Sequence, residues 1–296
     1  MDQGEQPVED KGLSVWVVVA LAAATVIVLG VLTFVAYEAL QAENEAAIAS
    51  TTTIQTPRET TPTATIPDTP TTTTTLPKDS LLASVDDISL VGVATFVEDG
   101  FALRVTPSIN SSVAGAAWFI RKQPVSQGFE TTFAFRIHDI PQNPGDGLAF
   151  VIQNSSVTAL GEASFGIGYT DIANSVAVEF DTVRQDYSGD PAPFHVGVHT
   201  RGTERNSSHE SASIGRFIPT FRLADGLVHV VKVEYAPGTL MVYLDDLANP
   251  ALTVQLDLDA TLRLDSGRAW VGFTASTEPG FRETHDILSW SFTPVS

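Results

Sequence analysis

From residue 81 onward, apolar side chains fall on alternate positions. Phe129, Thr131, Phe133, Phe135 and Ile137 alternate with Glu130, Thr132 and Arg136, and Val231, Val233 and Tyr235 alternate with Lys232 and Glu234. Successive side chains on a strand point to opposite faces, so each run can bury one face and hydrate the other. Ala236-Pro237-Gly238 joins the second run to Leu240, Val242 and Leu244, which reads as a hairpin. Similar short runs recur between Gly, Pro, Asn and Asp, and none carries an amphipathic helical period. The pattern predicts an all-β sandwich of antiparallel sheets.

The first 80 residues are built differently. Residues 15–37 are apolar apart from Thr25 and Thr33 and carry no charge. One helix of about 20 such residues crosses a bilayer. A cleaved signal peptide is the alternative, but the run is long for one and residues 1–12 are acidic overall. Lys11 is the basic residue near the span, and Glu38, Glu43 and Glu45 follow it, which places the N-terminus inside. Residues 51–77 are rich in Thr and Pro, and residues 71–75 are all threonine. With few large apolar groups to bury, such a stretch is an extended, disordered spacer. The expected organisation is a cytoplasmic tail (1–13), a transmembrane signal anchor (14–37), a Thr/Pro-rich linker (38–80) and a head (81–296). The head would lie outside the cell membrane.

Charge and cysteine content exclude several functions. The chain has 16 Lys and Arg against 35 Asp and Glu, a formal net charge of −19. No basic footprint for nucleic acid exists, whereas cations are suitable partners. Cysteine is absent, which removes thiolate catalysis, disulfides and thiolate metal sites. The head must be held by its apolar core.

The densest chemistry lies between Glu179 and His195. Glu179 and Asp181 share one face of a strand, and Asp190 and His195 can return over that face from the following loop. Carboxylate and carbonyl oxygens suit calcium, and a set that includes an imidazole suits a transition ion. Two adjacent ions could share Asp181 and Asp190.

Several segments stand in a characteristic order. They are Gly115-Ala-Ala-Trp118, Gly128-Phe-Glu-Thr-Thr-Phe-Ala-Phe135, Gly145-Asp146-Gly147, Ser175-Val-Ala-Val-Glu179-Phe-Asp181-Thr182, His195-Val-Gly-Val, Trp270-Val-Gly-Phe-Thr274 and His285-Asp-Ile-Leu-Ser-Trp290. From about Leu81 to Phe292 the chain resembles the L-type, or legume-like, lectin domain. The resemblance implies a concanavalin-like jelly roll that binds glycans without catalysis, through Ca2+ and a transition ion, usually Mn2+. It assigns Glu179, Asp181, Asp190 and His195 to the transition ion. Calcium would take Asp181, Asp190, the Val183 carbonyl and the Gln185 side chain. The family commonly has an aromatic at the first of these last two positions and Asn at the second, and Asp186 is an alternative oxygen donor. The sugar contacts would be Asp146, after a cis peptide from Gly145, with Gly147, Gln185, Gly166 in the glycine loop, and Phe281. Tyr187 is a second aromatic candidate.

Taken singly, these motifs have plain readings. Glu-x-Asp is usually an exposed strand edge and Asp-Gly a turn. Trp118, Trp270 and Trp290 read as core. Two further functions stay open. A protein-binding head could keep the fold and lose the sugar. A retaining glycosidase could share the fold, but its second carboxylate should sit about 5–5.5 Å from the first, and Thr182, Val183, Arg184 and Gln185 follow Asp181 instead.

Overall fold

A computed structural model of the chain describes residues 85–97 and 102–295. The anchor, the linker and the first residues of the head expected from the sequence lie outside the described residues. Within them, no helix is long and apolar enough to cross a membrane.

Two antiparallel sheets make up the structure, with strands numbered in chain order. The front sheet runs β1 (Ile88–Gly92), β4 (Val113–Phe119), β14 (Arg268–Thr277), β7 (Gly147–Gln153), β8 (Ser175–Asp181), β9 (His195–Thr200) and β10 (Ser213–Phe217), with the two-residue β5 (Gln123–Pro124) also pairing β14. The back sheet runs β13 (Leu252–Leu256), β12 (Gly238–Leu244), β11 (Val228–Ala236), β6 (Phe129–His138), β15 (Thr284–Pro294), β3 (Ala102–Thr106) and β2 (Thr95–Val97). The chain crosses repeatedly between sheets, which is the jelly-roll sandwich expected. The predicted hairpin is present, with β11 and β12 paired from Val231 opposite Leu244 to Ala236 opposite Thr239. The one α-helical segment among the described residues is the single turn Leu258–Thr261.

Alternation decides what each sheet buries. Val176, Val178 and Phe180 of β8, Val196 and Val198 of β9, and Leu148, Phe150 and Ile152 of β7 enter the core between the sheets. Phe133 of β6 meets Phe150, Phe180 and Phe273 there, with ring centroids 6.0, 6.0 and 4.9 Å away. Each such buried ring contributes roughly 1.5–3 kcal/mol through the hydrophobic effect. The opposite parity of the same strands faces outward. Ala149, Val151 and Ala177 meet Trp118, Ile167 and Tyr169 in a second, smaller apolar cluster. The segment between β7 and β8 thus covers the outer face of the front sheet. Glu179 and Asp181 share the parity of Ala177, so they lie beneath this cover, outside the main core.

Trp118 and Trp290 are core residues. Trp270 is half-buried instead, donating its indole N–H to Ile120 O at 3.2 Å with Lys122 Nζ 4.2 Å from its ring centre. It stands at the third residue of β14, outside the smaller apolar cluster that covers Trp118.

Candidate functional site

Register brings the acidic and imidazole groups together. β8 lies between β7 and β9, and Asp181 stands opposite both Gly147 and His195. Glu179 stands opposite Gly197, between His195 and a second imidazole, His199. Residues 182–194 then leave the sheet and fold back. The Val183 amide donates to Asp181 Oδ1 at 2.8 Å, and the Gln185 amide donates to Asp190 Oδ2 at 2.6 Å. A helical turn at Asp186–Ser188 and a left-handed Gly189 (φ 77°) return the chain to Asp190.

Two overlapping donor sets result. One ligand atom from each of Asp181, Asp190 and His195 lies within 4.8 Å of the others, and the same holds for Glu179, His195 and His199. All five residues are buried. Glu179 Oε1 lies 3.3 Å from His195 Nε2 and 3.6 Å from His199 Nε2, while its other oxygen accepts a hydrogen bond from Tyr169 Oη. Glu210 Oε2 approaches His195 Nε2 to 3.8 Å from the other side, and Arg216 pairs with the same carboxylate.

The electrostatics are those of a cluster short of positive charge. Burial pushes the Asp181 carboxyl well above its usual range, and Glu179 and Asp190 push it further. Burial also raises Asp190. Burial alone would raise Glu179, but His199 and His195 outweigh it and hold Glu179 low. Burial would depress His195, and the carboxylates around it raise it instead. Glu179 Oε1, both ring nitrogens of His195, His199 Nε2 and Glu210 Oε2 are buried without a hydrogen-bond partner. Buried polar atoms are normally satisfied. Oxygen and imidazole donors, orphaned and converging, fit the calcium and transition-ion pair implied by the family resemblance.

Most of the positions that the family resemblance assigns to the sugar gather beside this cluster. Gly145–Asp146 is a cis peptide. Asp146 is 1% exposed. Its backbone amide donates to Ser276 O at 3.1 Å, and its carbonyl accepts from the Thr182 amide at 3.3 Å. Oδ1 has no partner. Burial, followed by Glu278 and Glu283, pushes its carboxyl up to about 8. Asp146, Val183 and Gln185 line one cleft with Asp181 and Asp190, and Phe165 and Ile167 complete its wall. Phe281 sits at the edge, because a Cβ on Gly145 would lie 2.8 Å from Phe281 Cβ and 3.2 Å from Val183 Cγ1. Gly145 also has φ +149°, so glycine is required there twice over. Gly147 is buried at the start of β7. Gly166 is buried behind the wall, and its amide donates to Ala163 O at 3.3 Å. Asp186 is exposed, and its carboxylate pairs with Arg184 Nε at 2.8 Å.

Tyr187 is 59% exposed and packs edge-on against Phe165, with centroids 4.6 Å apart. Phe165 is the cleft aromatic that the sequence reading missed. It also missed His199, Tyr169 and Glu210. His199 alone carried a signal, since it shares strand parity with His195. Tyr169 and Glu210 reach the cluster from covering segments whose path alternation does not define.

A legume lectin domain model matches residues 80–295. The probable L-type lectin-domain containing receptor kinase S.5 of Arabidopsis thaliana is 30% identical over 232 residues, covering 70% of this chain and 34% of that protein. The chain spans about a third of the length of this kinase and of the L-type lectin-domain containing receptor kinase IV.2 of the same plant. A basic agglutinin of Psophocarpus tetragonolobus is 30% identical over 240 residues, covering 73% of this chain and 88% of the agglutinin. The crystal structure of basic winged bean lectin with Tn-antigen superposes with a TM-score of 0.59 at 28% identity, covering 73% of this chain and 95% of that one. The chain belongs to the legume lectin domain family.

Proposed function

We propose that this chain is a metal-dependent, non-catalytic glycan-binding protein. Residues 14–37 would anchor it in a cell membrane and residues 81–296 would form its extracellular head. The observation that carries the reading is the unpartnered Oδ1 of Asp146, buried in the cleft that Asp181, Asp190 and Gln185 also line. A carboxylate in that position accepts hydrogen bonds from sugar hydroxyls, and charged acceptors form the stronger bonds. Bound Ca2+ and Mn2+, or another transition ion, would supply the positive charge this acidic cluster lacks. Asp181 and Asp190 already hold the loop by accepting from the Val183 and Gln185 amides, which sets the Gln185 side chain at the cleft. Phe281, Phe165 and Tyr187 offer apolar faces for the C–H side of a sugar ring.

The related winged bean lectin was solved with Tn-antigen, and a relative from Arachis hypogaea is a galactose-binding lectin. Both support carbohydrate as the ligand class. The non-catalytic reading is supported by the surroundings of Glu179, whose two oxygens face two imidazoles and the Tyr169 hydroxyl.

The test is a glycan array probed with the full-length chain in detergent. Binding should appear with Ca2+ and Mn2+, vanish in EDTA and be lost in Asp146→Ala. An array with no binding in any cation condition would refute the proposal and favour a head that recognises protein. Hydrolysis of β-glucans that survives EDTA and is lost in Glu179→Gln would restore the glycosidase reading.

A further inference from the structure

We propose that His199 is a direct ligand of the transition cation, so that this chain holds a two-imidazole site selective for zinc-like ions over manganese. The inference rests on the metal-dependent reading above and concerns which ion the site takes.

Strand parity makes the first argument. His195, Gly197 and His199 lie on the outer face of β9, and Glu179 stands opposite Gly197. The Glu179 carboxylate therefore lies between two rings on one strand, 3.3 Å from one Nε2 and 3.6 Å from the other.

Burial makes the second. His199 is 0% exposed, and its Nε2 has no hydrogen-bond partner. Leaving a buried polar atom unpaired is costly. Its other nitrogen, Nδ1, lies 3.2 Å from Ser207 O. A carbonyl can only accept, so Nδ1 carries the proton and the Nε2 lone pair points at the cluster. An imidazole that donates one N–H to a carbonyl while offering the other nitrogen is the usual arrangement of a metal-binding histidine.

The support behind His199 is built. Asn206, 2% exposed, donates to His199 O at 3.1 Å and accepts from the Ser207 amide at 2.9 Å. It fixes both ends of the contact that orients the ring. Gly197 leaves the ring its space, since a Cβ there would lie 2.6 Å from His199 Nε2 and 3.0 Å from Cδ2.

The competing role is simple neutralisation of Glu179. It leaves the unpaired atoms unexplained, because Glu179 Oε1 still lacks a hydrogen bond with both rings nearby. A cation at the meeting point of Glu179 Oε1 and the two Nε2 atoms satisfies all three. Carboxylate oxygens suit manganese, whereas imidazole nitrogens favour zinc, nickel and copper, which also stand later in the divalent affinity order. A second imidazole therefore moves the preference away from manganese.

The test uses the full-length chain in detergent, stripped with EDTA and titrated calorimetrically with ZnCl2 and with MnCl2. Wild type should bind Zn2+ more tightly than Mn2+. Loss of an outer-shell partner already costs about 10–100-fold in metal affinity, so His199→Asn should weaken Zn2+ by at least about tenfold and Mn2+ by a smaller factor. The Co2+ form of wild type provides a readout that does not depend on the variant folding. Its proton NMR spectrum should show two hyperfine-shifted, exchangeable imidazole N–H signals, and His199→Asn should show one. A single signal in wild type, or Zn2+ affinity unchanged in His199→Asn, would overturn the inference while leaving metal dependence intact. A wild-type chain that binds neither ion would remove both.

Discussion

Replacing Asp146 with Asn tests the site through stability as well as binding. In the metal-free fold, burial and then Glu278 and Glu283 raise the Asp146 carboxyl from 3.8 to about 8. The folded chain keeps this proton at pH values where the unfolded chain has released it. The unfolded state then binds fewer protons, so stability must fall as pH rises from about 4 to about 8. Each pH unit within that window is worth about 1.4 kcal/mol, which gives about 3 kcal/mol between pH 5 and pH 7. For a domain of this size, about 2–4 °C per kcal/mol converts that into roughly 5–11 °C of melting temperature. Asp181 and Asp190 are raised as well, chiefly by burial, with Asp146 the smallest of the named causes for Asp181, so most of that slope is common to both proteins. Differential scanning calorimetry of the full-length chain in EDTA should therefore find Asp146→Asn gaining on wild type by roughly 5–11 °C from pH 5 to pH 7. With Ca2+ and Mn2+ present the gain should shrink, because cations beside Asp146 favour its ionised form. Parallel pH profiles for the two proteins in EDTA would refute the electrostatic account. The same variant should bind sugar at least about tenfold more weakly, since a charged hydrogen bond is worth about 1.5–3 kcal/mol.

Other changes should act through different parts of the molecule. Gly145→Ala places a Cβ 2.8 Å from Phe281 Cβ at φ +149° and should cost about 1–3 kcal/mol by thermal unfolding, with glycan binding lost. Phe133→Ala opens a cavity beneath three packed rings and should cost about 3–5 kcal/mol in denaturant unfolding. At His229, burial would lower the pKa, but the hydrogen bond to Asp245 at 2.8 Å and the nearby Asp225 raise it. Stability from this contact is fully present below the unfolded value of 6.5 and is lost as pH rises through the folded value. The Asp245 side chain is 41% exposed, so Asp245→Asn should cost only about 1 kcal/mol at pH 5.5, and the difference should fade at alkaline pH.

Much of this architecture was legible in the residues. Alternation in Phe129–Ile137 and Val231–Tyr235 identified strands that are now neighbours inside the back sheet, because the apolar parity of both enters the core, where Phe133 meets Phe150, Phe180 and Phe273. The convergence of these acidic and imidazole groups was legible for a related reason. Glu179 and Asp181 share parity, and Asp190 and His195 return through a short loop. What remained hidden depended on segments without periodicity. Tyr169 and Phe165 come from the long cover between β7 and β8, and nothing in their own neighbourhood says that they reach Glu179 or the cleft. Asn206 stands in a glycosylation-like Asn-Ser-Ser, yet it is buried and hydrogen-bonded to Ser175 O and His199 O, so its amide is structural. Trp270 read as core because of its type, although it stands outside the smaller apolar cluster and is half-buried.

The central claim is that orphaned oxygen and imidazole atoms around Asp181 and His195 gather cations that organise the glycan cleft. Elemental analysis tests it most directly, using the full-length chain equilibrated with Ca2+ and Mn2+ and then desalted. We expect two tightly held divalent ions per chain, both removed by EDTA, with Asp181→Ala unable to retain the pair. Wild-type protein that emerges from desalting with no bound divalent ion would contradict the account.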